Sequence, residues 1–116
     1  MSTDTQIKEV LSRALSIITN PDNWTKEAYA RNENDEMVLP ENPKAVKYCL
    51  LGAIRKSAEE LYPTEYSLIT TNAEVEITKV LTKHMHNPTS VGCFNDHEET
   101  THEDVIYVIQ TAIEEN

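Results

Sequence analysis

The chain has 116 residues, 39% of them hydrophobic and 26% charged, a balance that suits one globular domain over 1–116 rather than a disordered chain. Its net charge is -10 and it has no basic stripe, which argues against direct nucleic-acid binding. No apolar run approaches the ~20 residues of a membrane helix, so no membrane partner is expected.

The first predicted element is an amphipathic helix over residues 4–19. Ile7, Val10, Leu11, Ala14, Leu15 and Ile18 recur at helical spacing, and Thr3 with Gln6 has the spacing of a capping box. The preceding residues carry neither a basic start nor an apolar signal core, so a cytoplasmic protein is expected. Asn20-Pro21 ends the helix, because a residue before proline avoids the helical region. Trp24 follows as an apolar anchor.

Residues 25–40 carry no helical period. Tyr29-Ala30-Arg31 and Met37-Val38-Leu39 flank the turn-forming Asn32-Glu33-Asn34-Asp35, which predicts a short β-hairpin over about 27–39. Asn42-Pro43 then reads as a helix start, with Asn as cap and Pro at the first position. That helix is expected over about 43–61, ended by Pro63. It is the most apolar of all: from Tyr48 to Ile54 no residue is charged, so it belongs in the centre of the fold. Gly52 inside it implies that another segment crosses there.

Residues 64–71 read as a polar connection with a short helical turn. Thr71 with Glu74 has capping-box spacing, and a helix is expected over 72–86 with Ala73, Ile77, Val80, Leu81 and His84 on one face. Residues 87–99 read as a loop. A last helix over 101–114 is capped by Thr100 or Thr101 and buries Val105, Val108, Ile109 and Ala112. The expected class is therefore mostly α (α+β): four helices around the central apolar one, with one hairpin.

The order of short motifs resembles a family of small uncharacterised bacterial and phage proteins, a domain of unknown function. The residues that carry it are Trp24, then Ala28 and Arg31 as Ala-x-x-Arg, and Cys49-Leu50-Leu51-Gly52-Ala53. Phe94-Asn95-Asp96 and Glu103-Asp104-Val105 complete the series. The family's hairpin often has Gly at its turn, where this chain has Asn32 to Asp35. The resemblance implies a fold and no settled activity.

Three chemistries can be weighed against plain packing. His84, His86, His97 and His102 lie near Cys93 and Asp96, residue types that bind zinc. The alternative metal set is His84, His86, Cys93 and His97, but its spacing matches no zinc module. Cys49 with His97 and Asn95 or Asp96 supplies the types for a small hydrolase or transferase. Against that, Cys49 is expected seven residues inside the apolar helix, away from the helix start that lowers a thiol pKa. Cys49 and Cys93 are expected as reduced thiols. Asn95-Asp96 reads first as a loop cap. The alternative is a ligand patch of Trp24, Arg31, Phe94, Asn95 and Asp96.

After Lys83 there is no Lys or Arg, while Glu98, Glu99, Glu103 and Asp104 follow, a surface that can dock on a basic protein partner. No phosphate loop, dinucleotide fingerprint or hydrolase elbow is present, and no cofactor is expected. The reading is a non-enzymatic binding protein, possible as a homodimer. It is a phage or mobile-element accessory factor that inhibits a host protein through its acidic surface or sequesters a small ligand.

Overall fold

A computed structural model describes residues 3–85 and 90–116. Helix α1 (Asp4–Ile18) begins where the sequence places it. Thr3 Oγ1 accepts the Gln6 amide and Gln6 Oε1 accepts the Thr3 amide, a complete capping box. Its stripe of Ile7, Val10, Leu11, Ala14 and Ile18 is buried. A 3-10 turn (Pro21–Asn23) carries the chain to Trp24.

The hairpin forms from β1 (Ala30–Arg31) and β2 (Met37–Val38), paired antiparallel. Its turn is built by Asn32, whose Oδ1 accepts the amides of Asn34 and Glu36. Asp35 takes a φ of 63°, a left-handed conformation that Asp tolerates.

The central helix departs from expectation. It does not start near residue 43 but at Leu50, as α2 (Leu50–Leu61). Asn42 Oδ1 accepts the Lys44 amide and Asn42 C=O the Ala45 amide, so the apparent cap makes a turn instead. The chain then extends as β3 (Lys47–Tyr48), which pairs antiparallel with β1. The sheet thus has three strands in the order β2-β1-β3. The helix begins only where Cys49, its N-cap, accepts the Gly52 amide on Sγ at 3.2 Å. The apolar run still lies inside the fold: Leu50, Ala53 and Ile54 are fully buried. Gly52 passes Tyr29, whose carbonyl oxygen would lie 2.0 Å from an added Cβ.

Helix α3 (Tyr66–His84) starts six residues before the expected Asn72 and absorbs most of the expected connection. Thr71 is no cap there; its hydroxyl donates to Ser67 C=O within the helix. Ile69 and Thr70 are buried, so packing rather than a cap sets the start. The expected loop over 87–99 contains a short helix α4 (Val91–Asp96), and residues 87–89 lie outside the described residues. Helix α5 (His102–Glu115) is capped by Thr101 with Asp104. Among the described residues there are five α-helices rather than four, and the class is mostly helical with a small sheet. Helix α2 packs on α1, α3 and α4, and α5 closes against α1 and α3. No helix among the described residues is long and apolar enough to cross a membrane.

Candidate functional site

Helix α4 is six residues long and is fixed at both ends. Ser90 Oγ accepts the Cys93 amide at its start. At its end Asn95 is wholly buried, and its amide is fully used. Asn95 Oδ1 accepts from Trp24 Nε1 at 2.7 Å and from the Leu50 amide at 3.0 Å. Asn95 Nδ2 donates to Thr25 C=O at 3.1 Å and to Asp96 Oδ1 at 3.0 Å. Two donors and two lone pairs are the whole capacity of the side chain. The Leu50 amide is one of the unpaired donors at the start of α2, so Asn95 satisfies that end from outside the helix.

Asp96 Oδ1 also accepts the Glu27 amide at 2.8 Å. Glu27 sits at a φ of 64°, an uncommon conformation for a residue with a Cβ, and this bond holds it there. Arg31 approaches the same segment from the sheet. Its Nε donates to Thr25 Oγ1 at 3.0 Å and its Nη2 to Lys26 C=O at 3.2 Å. Trp24 is flanked by the His102 ring at 5.7 Å and by Lys26 Nζ, 5.6 Å from its ring centre. Trp24, Arg31, Asn95 and Asp96 therefore converge on Thr25–Glu27 and clasp it. Phe94 is buried beside them.

Beyond the clasp lies a groove of about 680 Å³, between the hairpin, the start of α2 and α4. Tyr29, Met37, Leu39 and Leu51 give it apolar walls. Tyr29, Met37 and Leu39 are 49%, 69% and 61% exposed, the three highest values for large apolar side chains among the described residues, and they lie together. Glu27 and Asp96 also line it, with Cys49 and Gly92, and among the described residues no Lys or Arg does. A volume of this size suits a ligand held by apolar walls and a few polar groups.

A family model matches residues 2–115, and it describes a family of unknown function, DUF6197. The chain belongs to that family. No curated protein and no solved structure matches it.

In this DUF6197 member the remaining expected site residues are spread apart. Cys49 is an N-cap, not an interior helix residue as expected, because α2 starts late. Burial pushes its thiol above the ordinary value of 9.0; the Gly52 N–H works against that, and the charge of Asp96 adds to it. His84 Nε2 lies 2.7 Å from Glu115 Oε2. His97 Nδ1 accepts the Glu99 amide at 3.1 Å, and Cys93 is exposed. His86 lies outside the described residues. Among the described residues no three His, Cys, Asp or Glu side chains are placed to hold a metal ion.

Glu98, Glu99 and Glu103 are exposed, and none is in an ion pair among the described residues. Asp104 is occupied, accepting the Thr101 amide at 3.0 Å. The groove walls at Tyr29, Met37 and Leu39 were not singled out by the sequence reading. Their signal is faint: apolar residues at alternate positions on the outward face of a hairpin.

Proposed function

We propose that the chain is a non-enzymatic binding protein that takes a ligand with an apolar body and a positive charge into the groove between hairpin and α4. The supporting observation is the groove itself: exposed Tyr29, Met37 and Leu39 beside the carboxylates of Glu27 and Asp96, with no lining cation. The exposed Glu98, Glu99 and Glu103 lie two to seven residues after Asp96 and add a field that draws a basic partner toward it. In this reading the partner is a basic protein surface, occupied and thereby inhibited. The protein is an accessory factor of a phage or mobile element acting in a bacterial cytoplasm. The thiol of Cys49 is buried and held protonated, whereas a nucleophile works as thiolate, and this favours binding over catalysis.

The test is an amide-resolved NMR titration with three probes of equal chain length: hexyltrimethylammonium, hexanol and hexyl sulfate. The cationic probe is expected to shift the amides of Met37, Leu39, Leu51 and Gly92 saturably, hexanol more weakly, and hexyl sulfate least. If none of the three moves these amides, the groove is not a binding site.

A further inference from the structure

The two edges of the small sheet are treated differently. The outer edge of β3 is covered, because Trp24 bridges Tyr48 in parallel and the Thr25 amide donates to Tyr48 C=O at 3.0 Å. The outer edge of β2 has no such cover among the described residues. Asn32 N–H donates to Glu36 C=O at 3.0 Å, and the register pairs Arg31 with Met37 and Ala30 with Val38. Backbone groups alternate sides along a strand, so Glu36 and Val38 bond inward to β1 and Met37 turns its N–H and C=O outward. The other face of β1 agrees: Tyr29 and Arg31 carbonyls accept from Cys49 and Val46 on the β3 side. Leu39 also faces outward, with its C=O taken by the Asn42 amide.

Met37, Val38 and Leu39 are at the same time a wall of the groove. The open edge and the groove are one surface. Resting on the binding reading above, we infer that the ligand is an extended peptide segment that adds to β2 as a fourth strand. Its backbone pairs with the N–H and C=O of Met37. Its apolar side chains lie against Tyr29, Leu39 and Leu51, and its Lys or Arg side chains meet Glu27 and Asp96. Backbone pairing supplies affinity and the alternate side chains supply selectivity, as in other strand additions. The charge match is specific to a basic segment, because every charged side chain lining the groove is a carboxylate.

The test uses the full chain and a fluorescent, end-capped peptide with Thr at every second position and Val, Leu and Lys between, so that apolar and basic side chains share the face turned to the groove. Binding is followed by anisotropy and compared with the same peptide N-methylated at its Val and Leu amides. The plain peptide is expected to bind and the N-methylated one to bind about tenfold more weakly or worse. Met37→Ala removes the groove-wall side chain alone and is the reference. Met37→Pro removes the outward N–H as well and spares the Ala30–Val38 pairing. It is expected to weaken the plain peptide about tenfold relative to Met37→Ala while its thermal midpoint stays near that of the parent. Equal binding of the two peptides to the parent chain overturns strand addition and needs no variant to fold. No peptide binding, with hexyltrimethylammonium still shifting the groove amides, overturns strand addition but leaves the groove reading standing. No response to either probe removes both.

Discussion

Asn95 Oδ1 lies 2.7 Å from Trp24 Nε1, 71 positions away in the chain, and the same oxygen accepts the Leu50 amide. One buried side chain thus joins the segment after α1, the start of α2 and the end of α4. Asn95→Ala leaves Trp24 Nε1, the Leu50 N–H and the Thr25 C=O without that partner. Each buried orphan costs about 1–3 kcal/mol, and Trp24 is near enough to water to relax, so a loss of about 3 kcal/mol is expected. Urea denaturation with an unchanged m-value checks it. Asn95→Asp keeps the acceptor but sets a carboxylate against Thr25 C=O and Asp96. It is expected to be destabilised most at neutral pH, and its gap from the parent should narrow as pH falls through the carboxylate range.

Gly52 and Gly92 should respond oppositely to the same substitution. A Cβ at Gly52 would sit 2.0 Å from Tyr29 O, which is backbone and cannot swing away. Overpacking costs about 1–3 kcal/mol, and Gly52→Ala is expected at the top of that range or above. A Cβ at Gly92 meets nothing within 4 Å. Gly92→Ala is expected to stabilise α4 by up to about 1 kcal/mol, the helix preference of Ala over Gly. Thermal unfolding of the two variants side by side decides both.

The contrast between these elements shows what a sequence discloses. Helices α1 and α5 are legible because cap, stripe and stop lie within one short window, at Thr3 and Gln6 or Thr101 and Asp104. Asn42-Pro43 carries an equally good local start signal and yet makes a turn. The competing signal is distant: the Val46 and Cys49 amides find Arg31 and Tyr29 carbonyls on a strand formed much earlier in the chain. Helix α3 gave the reverse error. No side-chain cap marks its start at Glu65, so the capping spacing at Thr71 drew the expected boundary too late. Trp24, Asn95 and Asp96 stood out as aromatic or polar residues in loops, and Arg31 as a charged residue of the hairpin. That they grip the same segment, Thr25–Glu27, follows only from the tertiary fold. The exposure of Met37 and Leu39 is likewise a property of the sheet edge, not of their residue types.

Cys49 carries a pH prediction. Its thiol in the fold sits above the ordinary value of 9.0, mainly because burial disfavours the thiolate. A group raised in the fold contributes stability below its unfolded pKa and loses it as pH rises through the folded value. The parent chain should therefore lose stability above about pH 9 relative to Cys49→Ser, whose hydroxyl takes the Gly52 N–H without titrating in that range. Ellman's reagent at neutral pH should modify exposed Cys93 quickly and Cys49 only on unfolding.

Glu115 works in the opposite direction. A hydrogen bond to His84 holds its carboxyl below the ordinary 4.5, with burial opposing and the charges of His84 and Lys83 assisting. A depressed carboxyl contributes stability above its unfolded pKa and loses it as pH falls through the folded value. Below about pH 4.5 the parent and Glu115→Gln should converge in stability, because the parent's carboxylate is then being protonated. Acid titration followed by circular dichroism would show the convergence, and added salt should shrink the neutral-pH gap.

Thr70 offers the sharpest check on packing. Ser16, Thr19, Ser57, Thr71, Thr78 and Thr111 each donate the hydroxyl to the carbonyl one turn back. Thr70 Oγ1 is buried and has no partner among the described residues. It lines a small pocket of about 370 Å³ with Arg55, Tyr66 and Glu74, across Tyr29 and Leu51 from the groove. A buried hydroxyl without a partner costs about 1–3 kcal/mol, and removing it in a side chain of the same shape recovers part of that. Thr70→Val is isosteric and of similar helix propensity, so a gain of about 1 kcal/mol is expected. Ser57→Ala is the control. It deletes a hydroxyl bonded to Ala53 C=O at 2.8 Å in a fully buried place, and its effect should be a smaller gain or a loss. Urea unfolding of both variants measures the difference. A Thr70→Val chain less stable than the parent would mean that the hydroxyl finds a partner in solution, a water or a ligand seated in that pocket.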